Sequence, residues 1–303
     1  MTEVIVNSVM LMGILISIGY YLQKKGLLDG KVEDSLTFIL LYISLPGLII
    51  KAFDINYTYE KLALGLEIIK VAIIHSFILI IINFILISKI KNIEKKKILK
   101  IANVITNCGF MGFPVVYQIF GNEGMFFASM YYIPIVILMW TYGQMAFFNK
   151  LGITEIKNML INPNLVALYI GFTVFIFSIN IPPLIDKTLN VLGTMTTPLA
   201  MFIIGGKLAL VKRREILTEK LIYYGGAIKL LISPLLMILL LQFIDLSTTA
   251  KGVSIIYSSL PPATVTVILA KKYHSDAYFA SKVVVIEHLL SLITISIFLT
   301  LFL

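Results

Sequence analysis

The chain has a single cysteine, Cys108, so no disulfide can close within it, and cysteine usage says nothing about the redox compartment. No CxxC pair and no histidine cluster is present, which removes the usual spacings of a metal site. GxGxxG, P-loop and HExxH patterns are also missing, so the sequence offers neither a nucleotide cradle for ATP-driven pumping nor a zinc-protease core. Charge is scarce as well. Asp, Glu, Lys and Arg make up 14% of the 303 residues, while 59% are hydrophobic; soluble domains carry about 25% charged residues. A soluble fold cannot hide that much apolar surface. The net charge is +9, but the Lys and Arg sit in short clusters between hydrophobic runs. That is how membrane-topology signals are distributed, and it argues against nucleic acid as a partner.

What the chain does have is long apolar runs. A hydrocarbon core of about 30 Å needs roughly 20 apolar residues per helix. Ten segments qualify: Val4–Leu22, Leu36–Phe53, Leu62–Ile87, Ile98–Phe120, Met125–Phe148, Asn164–Ile181, Leu184–Leu210, Leu221–Ile244, Gly252–Ala270 and Ala277–Leu303. The expected fold class is an all-α polytopic membrane protein with ten transmembrane helices. Met1–Asn7 lacks the basic region of a signal peptide, so the first run reads as a retained helix. Nineteen Lys and Arg fall in the odd-numbered connections, among them Lys95, Lys96, Lys97, Lys150, Lys157, Lys207, Lys212, Arg213 and Arg214. Four fall in the even ones: Lys51, Lys61, Lys187 and Lys251. Positive loops stay cytoplasmic, so both termini are expected on the outer side of a plasma membrane.

Prolines recur at a fixed distance. Pro46 in segment two and Pro198 in segment seven are 152 residues apart; Pro114 in segment four and Pro261 in segment nine are 147 apart. Five helices per half is an odd number, so the second half enters the membrane from the opposite side. The chain then divides into an inverted 5+5 repeat, 1–150 and 151–303, a plan common among secondary transporters.

Segment four contains Asn103, Asn107, Gly109, Gly112 and Pro114; segment nine contains Ser258, Ser259, Pro261, Pro262 and Thr264. Proline lacks an N–H and clashes with the preceding turn, and glycine permits non-helical backbone. Asn107 lies about 12–14 Å along its helix at 1.5 Å per residue, near the midplane. A lone proline kink is an ordinary feature of a membrane helix. A matched pair at equal depth is instead read as two broken helices that cross, with positive half-helix ends facing a carboxylate. The amide of Asn107 and the hydroxyls of Ser258, Ser259 and Thr264 would add hydrogen bonds. Pro46 and Pro198, with fewer polar neighbours, read as bends in scaffold helices.

Ionisable residues inside the spans are costly and usually face a cavity or a partner. Glu67 and Lys70 share a helix face and form either a structural pair or part of a coupling site. Glu287 either exchanges a proton or snorkels toward the cytoplasmic surface. His75 and His288 titrate near neutral pH when unperturbed. Lys229 in segment eight is the remaining charge. Coupling to H+ or Na+ is left open, and no other cofactor or metal is expected.

The run Asn107-Cys108-Gly109-Phe110-Met111-Gly112-Phe113-Pro114, followed by Phe120-Gly121, resembles the segment-four signature of the auxin efflux carrier family. Asn162-Pro163-Asn164-Leu165, the stretch from Thr197-Pro198 to Gly205, and Pro261-Pro262-Ala263 with Ala270-Lys271-Lys272-Tyr273, Asp276 and Ala280-Ser281 are similar to further parts of that family. The resemblance implies an architecture like that of sodium/proton antiporters and bile-acid symporters. Helices one, two, six and seven would form a dimerising scaffold, and helices three to five and eight to ten a mobile transport domain. Bacterial members are permeases for malate, malonate and other small organic acids; the plant PIN-formed members export auxin. Glu287 and His288 fall outside the pattern. The short fifth connection, 149–163, resembles the bacterial type. The expected activity is therefore alternating-access, elevator-type transport of a small organic anion, by a non-enzyme that is a homodimer in the lipid bilayer. A sodium/proton antiporter is the alternative, disfavoured because segments four and nine carry no acidic residue. A membrane enzyme or receptor is a further one, without a converging catalytic set or a sensor domain.

Overall fold

The computed structural model describes residues 2–147, 160–210 and 219–302. Lys150, Lys157, Lys212, Arg213 and Arg214, the boundary at 150 and 151, and most of the fifth connection lie outside the described residues. Among the described residues the chain is helical, with no strand. Its elements are α1 (Thr2–Lys24), α2 (Gly30–Ile39), α3 (Leu45–Ala52), α4 (Tyr59–Leu86), α5 (Ile93–Ala102), α6 (Phe113–Trp140), α7 (Tyr142–Met145), α8 (Pro163–Ile176), α9 (Pro183–Thr194), α10 (Thr196–Leu210), α11 (Lys220–Ala227), α12 (Ser233–Leu241), α13 (Thr248–Ser259), α14 (Val265–Lys272) and α15 (Ala277–Phe302).

Polar residues at the ends of the apolar runs start the helices. Asp29, Thr58, Asn92, Asn162 and Ser247 each accept a backbone N–H from the first turn of α2, α4, α5, α8 and α13, satisfying donors that lipid cannot. Proline shapes the helix interiors. Wide π turns at Leu40–Ser44, Cys108–Gly112 and Ile228–Ile232 each run into a helix with proline at its second residue: Pro46, Pro114 and Pro234. A proline ring clashes with the carbonyl four residues back. The wider turn moves that carbonyl aside and lets the preceding N–H reach one residue further, as Phe113 N does to Cys108 O.

Among the described residues seven stretches are long and apolar enough to cross a membrane: Val6–Lys24, Gly30–Ala52, Tyr59–Lys89, Cys108–Met145, Pro183–Leu210, Lys220–Leu241 and Ala277–Phe302. Pro163–Ile176 is a shorter apolar helix. The 38-residue stretch Cys108–Met145 is interrupted at Gly121, whose backbone takes φ 58°, a left-handed conformation that a side chain resists. The chain turns back there, since Phe113 and Tyr132 on either side meet edge-on with ring centres 5.4 Å apart, so segments four and five are separate helices; segment nine is the pair α13 and α14, broken at its middle where Pro261 and Pro262 stand.

Close packing rests on small residues, as is usual where no hydrophobic drive joins helices in lipid. Gly19 of α1 lies against the backbone of Phe202 in α10, and Gly205 of α10 against the backbone of Ile16, so a Cβ at either would collide. Helix α3 is wedged between α8 and α9, with Gly171 under Phe53 and Gly193 under Leu48. The Ser44 hydroxyl meets the Thr196 hydroxyl at 2.7 Å and Leu192 O at 2.7 Å. Lys51 pairs with Asp54 and Asp186 at the end of this group. Helix α6 packs on α4 and α13, with Phe113 edge-on to Tyr257 of α13 and, across the turn at Gly121, to Tyr132 of α6 itself. Helix α15 closes against α11, α13, α14 and α5.

Candidate functional site

The site is built where two helices stop. Helix α5 ends at Ala102 with Asn103 as its C-cap, and residues 103–107 are non-helical. Helix α13 ends at Ser259, Leu260 is extended, and α14 starts after Thr264. The two interruptions run antiparallel through a bridge between Thr106 and Pro262. Asn107 N donates to Pro261 O at 2.9 Å, and Ala263 N donates to Ile105 O at 2.9 Å. The Thr106 hydroxyl donates to Tyr257 O, the last turn of α13, at 3.0 Å. Backbone groups that leave a helix inside an apolar layer must find partners; here each broken segment supplies the other's.

The opening in the first segment, Asn103–Asn107, lies just ahead of the Asn107–Pro114 stretch expected from the glycines and the proline. Pro114 sits at the second residue of α6, where the π turn accommodates it. Gly112 serves close approach instead: a Cβ there would lie 2.8 Å from Leu260 Cδ1. The reversal itself is held by Asn107, whose Oδ1 accepts from Phe110 N at 3.3 Å and caps the following turn. Its Nδ2 donates to His288 Nε2 at 2.7 Å, and the other ring nitrogen of His288 donates to Val284 O at 2.6 Å. Those two bonds fix one neutral tautomer.

A cavity of about 740 Å³ opens onto this crossing. Thr106, Asn107, Cys108, Gly109 and Phe110 line it from one broken segment, and Ala263, Thr264 and Val265 from the other. Three cations, Lys207, Lys271 and Lys282, and two acids, Glu33 and Asp34, also line it. Lys207 stands 3.5 Å from Glu33 and 5.9 Å from the Phe110 ring centre. In the sequence it looks like a loop charge; the structure places it in the last turn of α10.

The remaining candidates scatter. Pro261 and Pro262 form the buried break of segment nine. The hydroxyls of Ser258 and Ser259 turn back onto Ile255 O at 2.8 Å each. His75 is buried, 3.0 Å from Ser233 O and 3.5 Å from the Tyr131 hydroxyl, and Ser233 in turn donates to Ser258 O at 2.8 Å. Glu67 and Lys70 pair at 2.6 Å on an exposed face. Asn103 and Glu287 are fully buried, off the cavity, close to Gly225. Lys229 is buried too, its ammonium 3.4 Å from Val104 O.

Helices throughout the described residues, seven stretches among them long and apolar enough to cross a membrane, and two interrupted helices that meet at a cavity are the build of a membrane transport protein. The family described as membrane transport protein matches residues 4–158 and 145–299, and the chain belongs to that family, the auxin efflux carriers. It is 26% identical to an uncharacterized transporter of Methanocaldococcus jannaschii, covering 95% of this chain and 96% of that protein. An uncharacterized transporter of Methanothermobacter thermautotrophicus is 25% identical over 93% of both chains. Auxin efflux carrier component 8 of Arabidopsis thaliana is 29% identical over 46% of this chain and 39% of its own length.

Proposed function

We propose that this transporter carries a small organic anion, with the carboxylate held at the crossing and alternating access achieved by elevator-type movement. The observation that carries the reading is the antiparallel crossing that lines the cavity together with Lys207, Lys271 and Lys282. The turn that starts at Asn107 points its N-terminal end into the cavity, which favours negative charge. Thr264 adds a hydroxyl from the opposite segment, and the lysines add charge. Malate-like dicarboxylates and auxin-like monocarboxylates both fit this chemistry, and neither needs an acidic residue or a catalytic group at the crossing.

A ten-span inverted repeat is part of the same proposal. Three facts support it. Gly121 divides Cys108–Met145, Pro163–Ile176 supplies a further apolar helix, and Ser44 meets its repeat counterpart Thr196, 152 positions away. The close group α1, α3, α8, α9 and α10 corresponds to the scaffold half, through which a homodimer would form in the plasma membrane with both termini outside. The test is flux in proteoliposomes loaded with labelled malate or indole-3-acetate. Saturable flux is expected, lost in Asn107→Ala and retained in Glu67→Gln. Flux equal in the wild type and Asn107→Ala would remove the crossing from the mechanism.

A further inference from the structure

Behind the crossing lies a second polar site that does not touch the cavity. Its polarity can be read from one end. Lys100 O, a carbonyl, can only accept; it takes hydrogen bonds from Asn83 Nδ2 at 3.1 Å and from the Tyr142 hydroxyl at 3.2 Å. The Asn83 amide therefore presents its oxygen to Asn103, which donates Nδ2 to it at 2.8 Å. Asn103 is in turn forced to present Oδ1 on its far side. That oxygen is fully buried and has no hydrogen-bond partner.

What Asn103 Oδ1 faces is another acceptor. The point where a Cβ on Gly225 would stand is 3.1 Å from Asn103 Oδ1 and 3.6 Å from Glu287 Oε1. Both carboxylate oxygens of Glu287 are buried and without hydrogen-bond partners. Gly225 and Gly226, side by side on α11, let this helix approach closely: a Cβ on Gly225 would collide with Leu99 Cδ2 at 2.6 Å, and one on Gly226 would stand in ordinary contact with the Glu287 carboxyl, 3.7 Å from its carbon. Three orphaned acceptor atoms thus cluster beside Gly225, near the C-terminal, negative end of half-helix α5. Buried acceptors of this kind need a positive partner.

We infer that Asn103 and Glu287 form a monovalent-cation site, occupied by a proton or by sodium, that couples cation movement to the anion carried at the crossing. The inference rests on the transport reading only for the word coupling; the site itself does not. Lys229 is the charged group whose field reaches Glu287. Around the carboxylate stand Asn103, from the end of α5, and Gly225 and Gly226 of α11, none of which titrates. His288, next in the chain, turns to Asn107, His75 turns to Ser233 and Tyr131, and Cys108 lines the cavity. Lys229 hydrogen-bonds to Val104 O and not to Glu287. Glu287 is therefore free for an external cation in this arrangement, and a shift of Lys229 toward it would expel that cation. Val104 and Asn103 belong to the broken segment that ends in Asn107, so occupancy behind the crossing and hydrogen bonding at its front share one short piece of backbone. In the proton form the carboxylate takes one proton from water and returns it to water on the other side.

The test uses the purified full-length protein with no organic anion present, so its outcome is independent of the carrier reading. Unfolding midpoints are measured at constant ionic strength with sodium replacing N-methylglucamine, and separately across a pH series without sodium. A ligand bound by the folded state raises the midpoint by mass action. A proton bound by the folded state gives stability that is present at low pH and lost as pH rises. Wild type is expected to respond to one of the two, which names the cation. Glu287→Gln, whose neutral amide takes up no proton and carries no charge for a cation, is expected to lose that response. Asn103→Ala is the second variant, and binding of radioactive sodium or uptake of protons should weaken in it by more than about tenfold. A wild type that responds to neither cation, or responses unchanged in both variants, would overturn the site.

Discussion

The two broken segments reach the same backbone geometry by different means. Leu260–Thr264 contains Pro261 and Pro262, which have no N–H to offer a helix, so the interruption is written into the covalent chain. Asn103–Asn107 contains no proline. Its interruption is held by side-chain amides, Asn103 tied to Asn83 and Asn107 tied to Phe110 N and His288. A proline break persists whatever its neighbours do. An amide-held break depends on partners on α4 and α15, and changes when they change. The asymmetry assigns the fixed part of the crossing to the second half and the responsive part to the first.

The largest expected effect follows from Asn107→Leu. It removes the cap of the π turn and leaves buried His288 Nε2 without its donor. Each loss costs about 1–2 kcal/mol, and anion flux should fall below detection. Denaturation in mixed micelles gives the first number and proteoliposome flux the second. An intact, fully active Asn107→Leu protein would mean that the first segment does not rely on its amides. Next comes Pro262→Ala. It puts a new N–H into the crossing, where Pro262 is buried and bridged to Thr106. An unpaired buried donor costs about 1–3 kcal/mol, yet Asn107 N still has Pro261 O and Ala263 N still has Ile105 O, so flux should drop only several-fold.

Lys207→Met sharpens the comparison from the cavity side. Lys207 touches neither break by hydrogen bond, but it lines the cavity and lies over the Phe110 ring. The apparent KM for a dicarboxylate should rise about tenfold, the worth of roughly 1.4 kcal/mol of charge-assisted binding, with maximal flux and stability unchanged. An equal rise for a monocarboxylate would place Lys207 on the first carboxyl group rather than the second.

Much of this arrangement is legible in the sequence, and the limits have physical causes. Apolar runs and the positions of Pro261 and Pro262 show the helices and the second break, because length and a missing N–H are local properties. The first break is displaced from the glycines and the proline, because Pro114 is absorbed by a π turn whose register depends on Gly112 packing against Leu260. The partnership of Asn103 with Asn83 and its proximity to Glu287 join α4, α5, α11 and α15, and no short-range pattern encodes a contact among four helices. Lys207 was hidden for the opposite reason: as a charge near a helix end it looked like the topology signals around it.

The smallest expected effect belongs to Ser258 and Ser259, and it separates the two segments most sharply. Both are polar, buried and adjacent to the proline break, the place where Asn103 and Asn107 stand in the other segment. Their hydroxyls, however, close onto Ile255 O within α13. The bond they make does not cross between segments, and the carbonyl they use already belongs to a helical turn. Hydrogen bonds inside membrane proteins average about 0.6 kcal/mol by double-mutant cycles, so Ser258→Ala and Ser259→Ala should each cost less than about 1 kcal/mol and leave flux within twofold of wild type. The two hydroxyls share one acceptor, so the double variant should cost other than the sum of the single ones. A large flux defect in either, with stability kept, would show that a hydroxyl turns from Ile255 to the substrate during the cycle. The second segment would then also have a responsive element, and the division between a fixed and an adjustable half would fail.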